Sequence, residues 1–205
     1  FDLSEIKGDD SLITICKFTD EEIKHFKKIT NHIVFVDSTP DLLNYDSVVI
    51  DFRYSVKLIL DYIIERNYYP IGYIGGLEKI NEIKLYGERR EKFFKKYLTK
   101  RDKYEEDFVH IGEFSTDSGY QIMKSNIENK NLARVYFCAS DSIAMGAIQA
   151  LHEARKKIPE EVAIIGFNDI NQAKYMHPSL TTLTIPTKAM GQEALGSLLE
   201  RINDP

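Results

Sequence analysis

Apolar residues along this chain come in short unbroken runs rather than in alternation with polar ones. Residues 11–16 (SLITIC), 32–37 (HIVFVD), 45–51 (YDSVVID), 69–76 (YPIGYIGG), 108–112 (FVHIG), 135–139 (VYFCA), 161–167 (EVAIIGF) and 181–185 (TTLTI) each predict a strand. The segments between them have helical character. TDEE at 19–22 is a capping-box-like start with acid in the first turn, continued by Ile23, Phe26, Lys27 and Ile29. Val56, Ile59, Leu60, Ile63 and Ile64 recur at i, i+3, i+4, i+7 and i+8, an apolar helix stripe that Asp51 or Ser55 could cap. Residues 89–97 predict a basic helix with Phe93, Phe94, Tyr97 and Leu98 inward. Residues 117–129 predict another, carrying Tyr120, Met123 and Ile127, and 188–202 the last. Residues 38–41 read as a turn, and 77–87 lack periodicity and read as a loop.

Continuous apolar strands alternating with helices predict an α/β fold, a parallel sheet covered on both faces. Residues 135–151 show the unit in its shortest form. An apolar run ends at Ala139, two polar residues follow, and a helix of small side chains begins. Ala144, Gly146 and Ala147 would let that helix lie close to the sheet. In open α/β sheets ligands sit where such strand ends meet such helix starts.

Polar groups recur at these strand ends: Asp37, Asp51, Ser140 with Asp141, and Asn168 with Asp169. A carboxylate can accept from two adjacent hydroxyls, and an asparagine can donate and accept at once, which suits a polyol. Several of these residues are equally suited to cap helices; Asp51 and Asp141 are read as caps, whereas no strong helix follows Asp37 or Asn168 at once. Arg90 lies at a helix start after a long loop, where an arginine is ordinarily a solvated charge. Phe114 lies just past a strand end, where it could stack on an apolar sugar face or belong to the core.

The totals narrow the classes. The 205 residues suffice for one large or two small domains, and 43% hydrophobic with 29% charged is an ordinary soluble composition. A net charge of −5 and a pI near 5.6 argue against this stretch gripping nucleic acid by itself. The two cysteines, Cys16 and Cys138, sit in apolar runs and read as buried thiols of a reducing compartment. No apolar run reaches the roughly 18 residues of a membrane span. There is no Gly-x-Ser-x-Gly elbow and no Walker loop, and residues 71–76 lack dinucleotide-binding glycine spacing. The five histidines show no metal-ligand spacing, so neither metal nor cofactor is expected. Carboxylates for acid–base work are present, but nothing separates a catalytic pair from ordinary acids. From the residues alone the chain is expected to be a binder of a small polar ligand, and an enzyme is not expected.

Further segments carry a resemblance. FCASDSIAMGA (137–147) looks like the ANDxxAxGA segment of LacI/GalR-type transcription regulators. IPEEVAIIGFND (158–169) is similar to their xPEDVSVVGFDD. PSLTTL (178–183), with Met190-Gly191 and LLERI at 198–202, matches their PPLTTV, MG and LLLERI. IGYIGG (71–76) resembles RIGFIGG, and REKFF (90–94) resembles REKAF. The ordered set covers nearly the whole chain, and its details are nearest to the galactose or β-galactoside repressor branch.

The resemblance implies a periplasmic-binding-protein-like fold of two lobes, each a parallel sheet flanked by helices. By it, residues 1–50 with the last helix at 187–205 form a truncated N-terminal lobe, and 51–186 the C-terminal lobe. The first strand–helix–strand unit, the closing strand and the DNA-binding helix-turn-helix would lie outside this chain. The implied function is sugar sensing: an effector bound between the lobes of a cytoplasmic homodimer sets its affinity for operator DNA. A solute-binding protein of a sugar transporter shares the lobes and is the alternative.

The implied sugar contacts are Asp37, Arg90, Phe114, Ser140 and Asn168. Asn168 replaces a frequent aspartate, and Ser140 replaces the usual asparagine of AND. Both departures bear on which sugar is bound.

Overall fold

In the computed structural model, residues 10–40, 44–80, 83–85 and 89–203 are described. The elements in chain order are β1 (Leu12–Ile15), α1 (Asp20–Ile29), β2 (Ile33–Val36), β3 (Asp46–Val48), α2 (Phe52–Glu65), β4 (Ile71–Gly76), β5 (Glu78–Ile80), β6 (Ile83–Leu85), α3 (Arg89–Thr99), β7 (Val109–Gly112), α4 (Thr116–Glu128), β8 (Val135–Cys138), α5 (Asp141–Glu153), β9 (Ala163–Asn168), β10 (Thr181–Thr184) and α6 (Thr187–Asn203). The chain divides into two compact units. One comprises 1–50, 80–82 and 186–205; the other comprises 51–79 and 83–185.

The smaller unit is built on β2. Successive side chains of a strand point to opposite faces, and both faces of β2 are apolar. Ile33 and Phe35 pack with Phe26 of α1, joined by Phe18 and Tyr45. Val34 and Val36 pack with Ala194 and Leu198 of α6. The sheet, in the order β1-β2-β3, is parallel throughout. Fully burying one such side chain contributes about 1.5–3 kcal/mol, so β2 holds α1 against one face of the sheet and α6 against the other. The expected capping box forms: Thr19 Oγ1 accepts from the Glu22 amide at 3.3 Å, and Glu22 Oε2 from the Thr19 amide at 2.8 Å. At its other end α6 is tied down by Arg201. Its guanidinium donates to the Asn31 and Asn44 carbonyls at 3.0 and 2.9 Å and to Asp46 at 2.7 Å.

The larger unit holds a five-stranded parallel sheet in the order β10-β9-β8-β4-β7. Its first strand, β4, is followed on one side by β7 and on the other by β8. The chain therefore reverses its direction of travel across the sheet between β4 and β8. Outside the carboxyl ends of two strands at such a switch point, the loops diverge and leave a crevice.

Several expectations need correction. The strand expected at 45–51 is shorter, spanning only Asp46–Val48, while Asp51 caps α2 as expected, accepting from the Tyr54 amide at 2.9 Å. The loop expected at 77–87 contains β5 and β6, paired as a two-stranded ribbon. Strands of three residues are too short to show a period. Positions 81, 82, 86 and 87 of that loop, and Asp41 of the turn expected at 38–41, lie outside the described residues. Cys16 is exposed rather than buried, because it lies just past the end of the edge strand β1. Gly146 faces not the sheet but the backbone of α4 at Thr116 and Tyr120. Among the described residues no helix is long and apolar enough to cross a membrane.

Candidate functional site

At the switch point stands a buried cation. Arg90 lies on α3 in one stripe with Phe94 and Leu98, at i, i+4 and i+8, and all three are buried. The stripe carries the arginine to the end of β8, where its guanidinium donates to the Ala139 carbonyl at 2.5 Å. The Ala139 amide in turn donates to the Ile74 carbonyl of β4, so this residue ties the end of β8 to β4, the two strands that flank the reversal. Glu78 lies 4.0 Å from the same guanidinium.

Three aromatic faces surround Arg90. The rings of Phe52, Phe114 and Phe167 lie 5.1, 5.2 and 5.0 Å from its central carbon. Phe52 and Phe167 also stack on each other at 6.0 Å. Guanidinium planes are weakly hydrated and are stabilised over aromatic faces by the ring quadrupole. This explains how a charge tolerates being only 7% exposed.

Phe114 is half-buried between the end of β7 and the start of α4. Its backbone is held on both sides. The Glu113 amide donates to Ser118 Oγ, and Ser115 caps α4. Its ring lies on Gly76 at the end of β4.

Ser140 and Asn168 complete this edge. Ser140 is the N-cap of α5, its Oγ accepting from the Ile143 amide at 3.3 Å. The capping expectation for Asp141 is therefore corrected: the extended backbone needed at an N-cap falls on Ser140 (φ −151°, ψ 160°). Asp141 is instead fully buried, its two oxygens accepting from Thr182 Oγ1 and from the Ile170 amide. Asn168 ends β9 exposed, with φ 114°, and Asp169 follows at φ 59°. Two successive non-glycine residues at positive φ are strained, and such strain persists where the surroundings enforce it.

Four of the five expected contacts therefore gather at the carboxyl edge of one sheet. Asp37 belongs to the smaller unit. It directly follows β2 with φ 63°, half-buried, its amide donating to the Val48 carbonyl. Phe52, Phe167 and Gly76 are not among the residues expected from the sequence, and neither is the anchoring role of Asp141. Phe167 sits immediately before Asn168 within an apolar run, so nothing local distinguishes it from core.

The arrangement can recognise a polar ligand. The guanidinium fork suits paired oxygens, the Phe114 face suits a C–H surface, and Asn168 can donate and accept. Among the described residues no group of three His, Cys, Asp or Glu side chains is placed to hold a metal ion. A cavity of about 280 Å³ lies elsewhere, lined by Leu58, Ile59, Tyr62, Ile165 and residues 181–183. None of the five expected contacts lines it.

A profile of the periplasmic binding protein-like domain matches residues 60–205. The chain is 36% identical over 197 residues to the HTH-type transcriptional repressor MelR of Bacillus subtilis, covering 95% of this chain and 57% of that protein. It is 33% identical over 210 residues to the HTH-type transcriptional regulator GalR of Streptococcus thermophilus, covering 100% and 63%. It thus spans about three fifths of these relatives. In structure it resembles a LacI family transcriptional regulator from Lactobacillus casei with bound sucrose. The TM-score is 0.81 at 20% identity, over 96% of this chain and 72% of that one. The chain belongs to the periplasmic binding protein-like domain family, in the form carried by LacI/GalR-type regulators.

Proposed function

We propose that this chain is the sugar-binding and dimer-forming effector region of a LacI/GalR-type repressor, with a galactoside as effector. Arg90, Phe114, Ser140 and Asn168 are proposed as contacts on the larger unit and Asp37 as a contact on the smaller. The observation that carries this reading is the Arg90 guanidinium bonded to the Ala139 carbonyl within three phenylalanine faces. It stands at the switch point, where a ligand crevice is expected. The arginine would bind ring and hydroxyl oxygens while Phe114 stacks on the apolar sugar face. Asp37 would accept from adjacent hydroxyls.

In this reading the protein is a thermodynamic switch. The sugar favours one arrangement of the dimer over another, and operator DNA, gripped by a helix-turn-helix outside this chain, reports the difference. A coupling of about 1–3 kcal/mol changes operator affinity about 5–150-fold. The relatives named above are regulators, which favours this reading over a transporter's solute-binding protein.

Calorimetric titration of the full-length protein with methyl β-galactoside, melibiose, sucrose and glucose tests the site. A galactoside is expected to bind best, and Arg90→Ala and Asp37→Ala are each expected to weaken it at least about tenfold. Wild-type affinity in both variants would remove the proposed site. An operator-binding assay with and without sugar tests the switch.

A further inference from the structure

We infer that Asp141 is a positioning residue for the ligand site, fixing the backbone turn that presents Asn168 rather than touching ligand itself. This rests on the reading of Asn168 as a sugar contact.

An acid in the first turn of a helix ordinarily faces solvent and complements the helix dipole. Asp141 does not, being 0% exposed. A carboxylate stripped of water is tolerated only when its oxygens are hydrogen-bonded, and each has one partner, one in the turn after β9 and one within β10. Oδ2 accepts from the Ile170 amide at 2.8 Å, and Oδ1 accepts from Thr182 Oγ1 on β10 at 2.6 Å. Gly166 on β9 makes the room, because a Cβ there would collide with Asp141 Oδ1. Positions 141, 166 and 182 are thus shaped around one carboxylate.

The segment it holds is the strained one. Asn168 and Asp169 both have positive φ, and the next residue, Ile170, is bonded to Asp141. Asp169 is secured on its other side, Oδ2 accepting from Thr184 Oγ1 at 2.7 Å. Without the Ile170 anchor, nothing at 141 opposes relaxation of the turn toward ordinary backbone angles, and relaxation would redirect the Asn168 amide. A carboxylate on the helix that starts at Ser140 thereby sets the aim of a side chain on the neighbouring strand.

A mutant cycle in the full-length protein, titrated with methyl β-galactoside and melibiose, tests the coupling. Asn168→Ala is expected to weaken binding about tenfold. Asp141→Ala is expected to weaken it similarly, and the double variant no more than about twofold beyond Asn168→Ala alone, because Asp141 acts only through Asn168. Asp141→Asn keeps an acceptor for the Ile170 amide and lets the Thr182 hydroxyl reverse, so it should restore binding to within about threefold of wild type. If Asp141→Ala does not fold, the near-isosteric Thr182→Val releases one oxygen of the same carboxylate. A smaller loss is then expected, with the same non-additivity. Single effects that multiply in the double variant would overturn the inference while leaving the Asn168 contact standing. An Asn168→Ala protein that binds like wild type would overturn the contact itself, and the inference with it.

Discussion

The ring of Phe114 rests on the bare Cα of Gly76. A Cβ at Gly76 would stand 2.5 Å from Phe114 Cδ2 and 2.8 Å from the Phe114 amide nitrogen. Because the backbone is obstructed as well as the ring, a rotamer change cannot relieve the contact. Gly76→Ala should therefore shift the turn after β7 and move Phe114 off Arg90. We expect a stability loss of about 1–3 kcal/mol and a drop in sugar affinity at least as large as that of Phe114→Ala. Thermal unfolding and titration of both variants would show it. Unchanged affinity in Gly76→Ala would mean that the Phe114 ring does not need this seat.

How far the sequence discloses this arrangement differs from part to part. The long strands are legible because β4, β8 and β9 are apolar on both faces, a pattern only a doubly covered sheet needs. The helix at 89–99 is legible, but the burial of Arg90 is not. An apolar stripe read through Phe93, Phe94, Tyr97 and Leu98 is centred away from the line of Arg90, Phe94 and Leu98 that is actually buried. The cap of α5 is ambiguous because serine and aspartate cap equally well, and only the strand-to-helix backbone angles decide between Ser140 and Asp141. Phe52 and Phe167 are illegible as site residues. That they face a cation is a tertiary fact with no local signature.

The two cysteines should separate under alkylation. Cys138 is fully buried in β8, and burial, with the nearby Asp141 charge, pushes its thiol well above the usual range. Cys16 is exposed. The thiolate is the reacting species, so iodoacetamide near neutral pH should label Cys16 in the native protein and Cys138 only in denaturant. Peptide mass analysis reads the outcome. Native labelling of Cys138 would mean that β8 opens from the sheet far more often than its burial allows.

His110 supplies a pH dependence. It is half-buried on β7, its Nε2 has no hydrogen-bond partner, and desolvation holds its pKa below the ordinary 6.5. As pH falls, the unfolded chain takes up this proton before the folded one does. The contribution of the neutral imidazole to stability is full above about 6.5 and is lost as pH falls through that value toward the lower folded one. His110→Leu should flatten the fall in unfolding free energy between about pH 7 and pH 5. Urea midpoints across that range would show it. An unaltered slope would assign the acid sensitivity to other groups.

Four glycines inside helices set a steric cost against a propensity gain, and the sign should differ between pairs. Gly119 on α4 and Gly146 on α5 face each other's helices. A Cβ on Gly119 would collide with the Ile143 carbonyl oxygen, and one on Gly146 with the Thr116 carbonyl oxygen, with the Tyr120 nitrogen only 2.6 Å away. The obstructing atoms are backbone, so the helices would have to move apart. Gly191 and Gly196 on α6 have nothing within 4 Å of a built Cβ. Replacing a mid-helix glycine by alanine gains about 0.8–1 kcal/mol of propensity, whereas forcing a packed interface apart costs about 1–3 kcal/mol and sometimes more. Gly191→Ala and Gly196→Ala should therefore stabilise by up to about 1 kcal/mol, and Gly119→Ala and Gly146→Ala should destabilise despite the same gain. The second pair should also weaken sugar binding, because the residue before the α4 cap is Phe114 and the cap of α5 is Ser140. Separating the helices moves both. Denaturant unfolding of the four variants, with sugar titration of each, distinguishes the cases. A stabilised Gly146→Ala that keeps full affinity would show that the close approach of α4 and α5 is not what sets the positions of Phe114 and Ser140.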